Sequence, residues 1–322
     1  MRTLMAMIFF ATLSWGQEPP PLHVRVNLVN VDFAVRDTQG RLATHLTRDE
    51  FEILEDGVPQ KIEFFSRTGD VPLTLGLIAD FSGSQEHFLK RHHKDLQTFL
   101  HEVLGARDRA FLICFGNHLR LASDLTPSSA DVMEGLKAFE HDDRHFPELG
   151  PPGEDRELGT AFYDAIYYPV TEKLERTVSG QKALIVFSDG EDNSSARDMM
   201  DAIEAAQTAN VRVYGMRYTE RNHGRLTARN KYGIRVMDRI ALETGAAAFD
   251  AGQGNAKEWF DEIAEDLRSS YSLAYYPTAP QSQDGSFRKI TLRAKSPGLT
   301  VRCKTGYFAS LIQGNVQSAR GE

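Results

Sequence analysis

Three oxygen-bearing side chains, Asp80, Ser82 and Ser84, stand at alternate positions directly after the apolar run Leu73-Thr-Leu-Gly-Leu-Ile-Ala79. A second apolar run, Ala183-Leu-Ile-Val-Phe187, leads into Ser188-Asp189-Gly190-Glu191-Asp192, and Thr160 follows a loop rich in Pro and Gly. Carboxylates and hydroxyls are hard ligands. The set holds no thiolate and no imidazole, which points to Mg²⁺, Mn²⁺ or Ca²⁺ rather than zinc. Taken singly these residues have plainer uses, because serines after a strand and a threonine before a helix are ordinary N-caps. Taken together, Asp80, Ser82, Ser84, Thr160 and Asp189 supply two carboxylates and three hydroxyls from three loops.

Catalysis finds less support. Metal-assisted hydrolysis needs a base beside the ion, and His87, His92, His93 and His101 fall on the helix expected after the metal loop. They read as a solvated helix face. His101-Glu102 lacks the second histidine of an H-E-x-x-H motif, and no G-x-S-x-G elbow or Walker loop occurs. Asp164, Glu191 and Asp192 are read as residues that strengthen cation attraction or tune a partner surface. Gly150-Pro-Pro-Gly153 reads as a specificity loop, and Phe81, Gly153 and Glu191 are the residues expected to touch a partner.

Two elements must position the acidic residues. Apolar runs without clean alternation suit strands buried on both faces, as in the parallel sheet of an α/β domain, and such sheets bind ligands beyond the carboxyl ends of their strands. Residues 71–268 alternate strand and helix accordingly. Leu73 to Ala79 precedes a helix ending near Leu104, and Ala110 to Phe115 is followed after two residues by His118 to Ala122. So short a link makes that last pair antiparallel. Helices are predicted near Ser129 to Phe139, Thr160 to Glu175, Ala196 to Thr208 and Lys257 to Leu267, with further strands at Ala183 to Phe187, Val211 to Met216 and Ala246 to Phe249. The predicted fold is a doubly wound, mostly parallel sheet with one antiparallel edge strand.

Both flanks read as β-structure. Val24 to Val35 alternates well enough for one or two strands, Thr47 and Glu50 form a capping-box pattern, and Phe51 to Asp56 and Gln60 to Phe65 flank an Asp56-Gly57 turn. After the α/β region come Tyr271 to Tyr276, Phe287 to Arg293 and Leu299 to Lys304, separated by turn residues. Residues 17–70 are few for a stable core, so 269–310 are expected to complete one small β-sandwich with them. Residues 311–322 read as a disordered tail. The first sixteen residues have an early Arg2, a short apolar core and small residues before Gly16, the pattern of a signal peptide. They imply an exported protein, periplasmic or secreted, with no transmembrane segment in the mature chain.

Composition narrows the partners. The net charge is −8 and no basic stripe is present, which argues against nucleic acid. Cys114 and Cys303 are the only cysteines, too few for a disulfide framework, and Cys114 reads as a buried thiol.

With its D-x-S-x-S, Thr and Asp elements in place, the stretch 71–268 resembles the von Willebrand factor A domain and its metal-ion-dependent adhesion site. The flanks are similar to a bacterial exported group of such proteins, through Phe51-Glu-Ile-Leu-Glu-Asp-Gly57, Tyr271-Ser-Leu-Ala-Tyr-Tyr-Pro277 and Gly306-Tyr307. The resemblance implies that Ser82 and Ser84 bind the cation directly and that Asp80 and Asp189 hold waters and the serine hydroxyls. Thr160 would bind directly in one state and through water in the other. It further implies a non-catalytic adhesion role, in which the acidic residue of a protein partner takes an open position on the ion, and in relatives a coupling to the last helix, here Lys257 to Leu267. Two other roles remain: a scaffold in which the metal only stabilises the fold and the β-sandwich makes the interaction, and a metal-dependent hydrolase.

Overall fold

In the computed structural model, which describes residues 28–69, 71–141, 145–150, 159–177, 180–221, 223–252, 255–278 and 285–309, the run Leu73–Asp80 is a strand buried at every position. The expected signal peptide, Gly153 and the expected tail lie outside the described residues. Four strands precede that run: β1 (Val29–Arg36), β2 (Phe51–Glu55), β3 (Val58–Gln60) and β4 (Ile62–Arg67). It is itself β5, followed by α1 (Leu89–Val103), β6 (Arg109–Phe115), β7 (Leu119–Thr126), α2 (Ser129–Glu140) and α3 (Asp164–Pro169). Then come β8 (Gln181–Ser188), α4 (Met199–Thr208), β9 (Val211–Arg217), α5 (Ala228–Glu243), β10 (Ala248–Asp250) and α6 (Ala256–Arg268). Four strands close the described chain: β11 (Tyr271–Tyr275), β12 (Phe287–Ala294), β13 (Thr300–Cys303) and β14 (Gly306–Phe308).

The central sheet has the order β10-β9-β8-β5-β6-β7. Every pairing is parallel except β6 with β7, as the two-residue link requires. Side chains alternate across β5 between two separate cores. Leu75, Leu77 and Ala79 pack with Leu96, Phe99, Phe260 and Ile263 of α1 and α6. Ile78 packs with Ile166, Ile203, Val236 and Ile240 of α3, α4 and α5. Helices thus cover both faces, which is why the strand sequences lack a polar face.

The two ends of the chain interleave in two antiparallel sheets, β13-β1-β11-β4 and β14-β12-β2-β3. Between them lies an aromatic core in which Phe33 meets Phe51 edge-on at 5.0 Å and stacks on Tyr271 at 5.4 Å. Glu55 is buried there and accepts from the hydroxyls of Tyr275 at 2.7 Å and Tyr307 at 2.9 Å. The capping box is present, with the Thr47 N–H donating to Glu50 Oε2 at 2.6 Å. Asp56 and Gly57 form the expected tight turn, both at positive φ (50° and 83°).

Several boundaries differ from expectation. The strand across that turn is only Val58–Gln60, an edge strand that tolerates Pro59, and the chain then crosses to the other sheet as β4. α3 begins at Asp164 rather than Thr160, because the backbone of 160–163 is held by the loop after β8, and Pro169 passes it into a π-turn over Val170–Leu174. The sixteen-residue α5 is an element that pattern reading passes over. Cys114 and Cys303 are both free thiols. Among the described residues no helix is long and apolar enough to cross a membrane.

Charged contacts join the sandwich to the α/β region. Asp266 of α6, fully buried, accepts from Arg36 of β1 at 2.6 Å and from Arg302 of β13 at 2.8 Å. Nearby, Asn210 donates to Asp32 at 2.7 Å, and Lys304 Nζ donates to the Gln207 carbonyl at 3.0 Å.

Candidate metal centre

β5 and β8 are adjacent and parallel, so Asp80 and Asp189 emerge at the same sheet edge. Asp80 is wholly buried. Its Oδ1 accepts from the Ser82 N–H at 2.9 Å and its Oδ2 from Ser188 Oγ at 2.6 Å. Ser82 Oγ lies 3.3 Å from Ser84 Oγ, and Ser84 Oγ donates to Asp189 Oδ2 at 2.7 Å. Four of the five expected residues therefore form one continuous cluster.

Thr160 reaches this edge by another route. Its N–H donates to Asn193 Oδ1 at 2.7 Å, its carbonyl accepts from the N–H of Asn193 at 3.0 Å, and the next N–H, of Ala161, donates to the Gly116 carbonyl at 2.8 Å. A Cβ at Gly116 would lie 3.8 Å from the Ser82 backbone, so the Gly116 loop runs beside Ser82. Thr160 sits four residues ahead of α3 and does not cap it. Ser82 occupies the N-cap position of a 3₁₀ turn (Gly83–Phe88), yet its hydroxyl makes no capping bond. The plain capping uses of these hydroxyls are thus not the ones the fold makes.

The residues around the cluster are chiefly ones that hold the loops. Asp164 accepts from the N–H groups of Ala196 and Arg197, each at 2.9 Å, while Asp192 accepts from the Phe162 N–H at 2.9 Å and from Ser195 Oγ at 2.5 Å. Each loop's carboxylate thus binds the other loop's backbone. Gln85, wholly buried, donates to Asp189 Oδ2 at 2.8 Å and to the Tyr218 carbonyl at 3.2 Å. Ser188, Gln85 and Asn193 carry no local sequence signal for this role, since the partners they hold there, Asp80, Asp189 and Thr160, lie far along the chain.

Two expectations change. Glu191 is buried, with its carboxylate engaged by Arg229 and by Asn230 Nδ2 at 3.3 Å, so it ties α5 to the site instead of facing a partner. His92 does not lie on a solvated face: it is wholly buried, edge-on to Tyr218 at 4.2 Å, because it shares the inward stripe of Leu96 and Phe99. Desolvation depresses its pKa to about 3, so it is neutral at physiological pH.

The electrostatics favour a cation. Asp80 ends β5 and Asp189 directly follows β8; both are buried, and neither forms an ion pair with Lys, Arg or His among the described residues. Burial, reinforced by the Asp189 charge, raises the Asp80 pKa to about 7. Burial likewise raises Glu191 and Asp192, against the Arg229 contact and the Ser195 hydrogen bond respectively. Among the described residues no group of three or more His, Cys, Asp or Glu side chains is arranged to hold a metal.

No protein-family model and no curated protein matches the sequence. Among solved structures, BatB from Bacteroides thetaiotaomicron aligns with 61% of this chain and 97% of its own, at 15% identity and a TM-score of 0.43. An aerotolerance-related membrane protein from Bacteroides fragilis aligns with 61% of this chain and 98% of its own, at 14% identity and a TM-score of 0.44. Proximal thread matrix protein 1 of the mussel byssus aligns with 66% of this chain and 51% of its own, at 11% identity and a TM-score of 0.45. Similarity at this level identifies neither a ligand nor an activity.

Proposed function

We propose that this chain is an exported, non-catalytic binding module of the von Willebrand factor A type, which captures an acidic residue of a partner protein through a divalent cation. The observation that carries the reading is the pair Asp80 and Asp189, two buried carboxylates without a basic partner among the described residues, joined through Ser82, whose N–H donates to Asp80 and whose hydroxyl meets that of Ser84, and through Ser84, whose hydroxyl donates to Asp189. Buried charge of one sign needs compensation. A cation at the hydroxyls would supply it.

Ser82, Ser84 and Thr160 would hold the ion, with Asp80 and Asp189 orienting the hydroxyls and bound water. Mg²⁺ fits this set best, because it retains waters and needs few protein carboxylates. Bound there, it offers a carboxylate a charged coordination site. What the chain's own residues do is orient and exclude: Gln85 and Ser188 fix the carboxylates, and the Asp164 and Asp192 bonds fix the Thr160 loop. His92 is buried beneath the site and His93 faces Glu140 at 3.3 Å, so neither of these two histidines opens onto the candidate ligands.

Calorimetric titration of the chelator-stripped protein with Mg²⁺, Mn²⁺ and Ca²⁺ tests the reading, with Asp80→Ala and a Ser82→Ala/Ser84→Ala variant beside it. Saturable binding by the wild type alone, with folded variants that no longer retain an acidic protein ligand, is the expected result. Unfolding of the serine variant on metal loss would assign the ion a structural role. Phosphoester or peptide turnover abolished by Asp80→Ala would replace the reading with hydrolysis.

A further inference from the structure

Beside the metal loop lies an open groove of about 580 Å³ between α1 and the end of α2, lined by Phe81, Leu89, Lys90, His93, Phe139 and Glu140. Phe81 stands between Asp80 and Ser82 in the chain, and its ring meets Phe139 edge-on at 4.9 Å. The groove therefore starts one residue from the candidate ligands. Its floor is apolar, made by Phe81, Leu89 and Phe139, all only partly buried.

The rim carries charge on both sides: Glu140 lies 3.3 Å from the His93 ring, and Lys90 is exposed and has no acidic partner among the described residues. An ammonium without an acidic partner among the described residues thus lines a groove with an apolar floor, in a chain whose net charge is −8. The combination complements a segment that is both acidic and apolar.

We infer that the partner engages this edge with an extended segment in which the metal-bound Asp or Glu is accompanied by a large apolar side chain, Phe, Trp or Leu, seated in the Phe81–Phe139 groove. The inference rests on the cation-capture reading and adds its specificity element. An extended segment advances about 3.3 Å per residue, so the apolar residue lies within about three positions of the acid. A further carboxylate beside it meets Lys90. Cation coordination alone accepts any exposed acid; the groove is what would select among them.

The test is a displayed heptapeptide library with a fixed central Asp, selected on the full chain in Mg²⁺ and counter-selected in chelator. The wild type is expected to enrich Phe, Trp or Leu within three positions of the Asp. Replacing that residue by Ala in a synthetic peptide is expected to weaken binding at least tenfold. Leu89→Glu, at the first residue of α1 where an acid is well tolerated, should bring that difference below twofold. Its Mg²⁺ affinity, measured alone by calorimetry, should stay at the wild-type value, and Lys90→Glu should weaken peptides carrying a second acid.

Mg²⁺-dependent peptides without apolar preference, or a preference unchanged in Leu89→Glu, would overturn the groove assignment and leave cation capture standing. Apolar peptides that bind equally in chelator would overturn the coupling of groove to cation. Mg²⁺ uptake without recovery of any Asp peptide would overturn acid capture itself, and the groove assignment with it.

Discussion

Ser84 Oγ donates to Asp189 Oδ2 at 2.7 Å, a bond between residues 105 positions apart that joins the β5 loop to the β8 loop. With its proton committed to Asp189, the hydroxyl has its lone pairs free for a cation, and ion binding at Ser84 would then tie the two loops together. Mg²⁺ at a hundred times its dissociation constant is expected to raise the unfolding free energy by about 2.7 kcal/mol. Thermal melts with and without chelator measure it, and the gain should vanish in Asp189→Ala and fall strongly in Ser84→Ala.

Asp164 tests whether the Thr160 loop must be held for the ion to bind. It is 1% exposed, and its two oxygens accept from the Ala196 and Arg197 N–H groups. Asp164→Asn keeps the shape but turns an NH₂ toward one of those donors. A loss of about 1–3 kcal/mol in stability is expected. Mg²⁺ affinity should fall several-fold although no candidate ligand has changed. Urea melts paired with calorimetry separate the two effects, and unchanged affinity would show that Thr160 needs no such support.

Gly190 and Gly233 let α5 sit directly on the Asp189 loop. Gly190 has φ 79°, and a Cβ there would lie 2.5 Å from the Gly233 carbonyl; a Cβ on Gly233 would collide with the Asp189 carbonyl. Gly233→Ala should therefore push α5 off the loop and cost roughly 1–3 kcal/mol, against the slight gain an alanine normally brings inside a helix. Lys231→Ala, on the exposed side of the same helix, is the control and should change stability by less than about 0.5 kcal/mol.

The central sheet and the edge that carries Asp80 and Asp189 were legible because burial on both faces leaves an unmistakable apolar run, as in Leu73–Ala79, and because the acids follow such runs immediately. The antiparallel edge followed from the short link before His118. α5 was not legible: Arg229, Lys231, Arg235 and Arg239 crowd its sequence, and Gly233 reads as a breaker until its contact with Asp189 is seen. His92 carried a usable signal, its four-residue spacing from Leu96 on the apolar stripe of α1, but residue type outweighed spacing. The clamp of Asp164, Asp192, Asn193 and Ser195 joins two loops about thirty residues apart, as in the Asp164 to Ala196 bond, and local patterns hold no record of such bonds.

Lys304 gives the fold a measurable pH dependence away from the metal site. It is 6% exposed at the junction of sandwich and α/β region, and burial depresses its pKa to about 8, against a partly restoring Asp32. The folded state then holds fewer protons than the unfolded state between about pH 8 and its ordinary value of 10.5. Within that window this group's contribution to stability rises with pH, and below pH 8 its full burial penalty applies. Relative to Lys304→Met, the wild type should gain on the order of 2 kcal/mol between pH 7 and pH 9.5. Denaturant melts of both proteins at the two pH values give the difference, and a constant difference would contradict the shift.

Asp266 holds α6 to the sandwich through two arginines from different strands. Its side chain is 1% exposed, whereas Arg36 and Arg302 retain 18% and 31%. Removing the carboxylate leaves two part-buried guanidinium groups facing each other, while replacing the whole group by apolar residues would not. Asp266→Ala should therefore cost roughly 3 kcal/mol, and Arg36→Met with Arg302→Met in the same chain should recover part of the loss. The solvent-exposed sides of the arginines keep the cost at the lower end of what breaking a buried pair brings. Because Asp266 lies at the far end of the sheet from Asp80, beside the start of β9 through the Arg212 bond to its carbonyl at 3.3 Å, Mg²⁺ affinity should stay unchanged. A parallel loss of affinity, measured on the folded fraction by calorimetry, would show instead that the anchorage of α6 is felt at the metal loop.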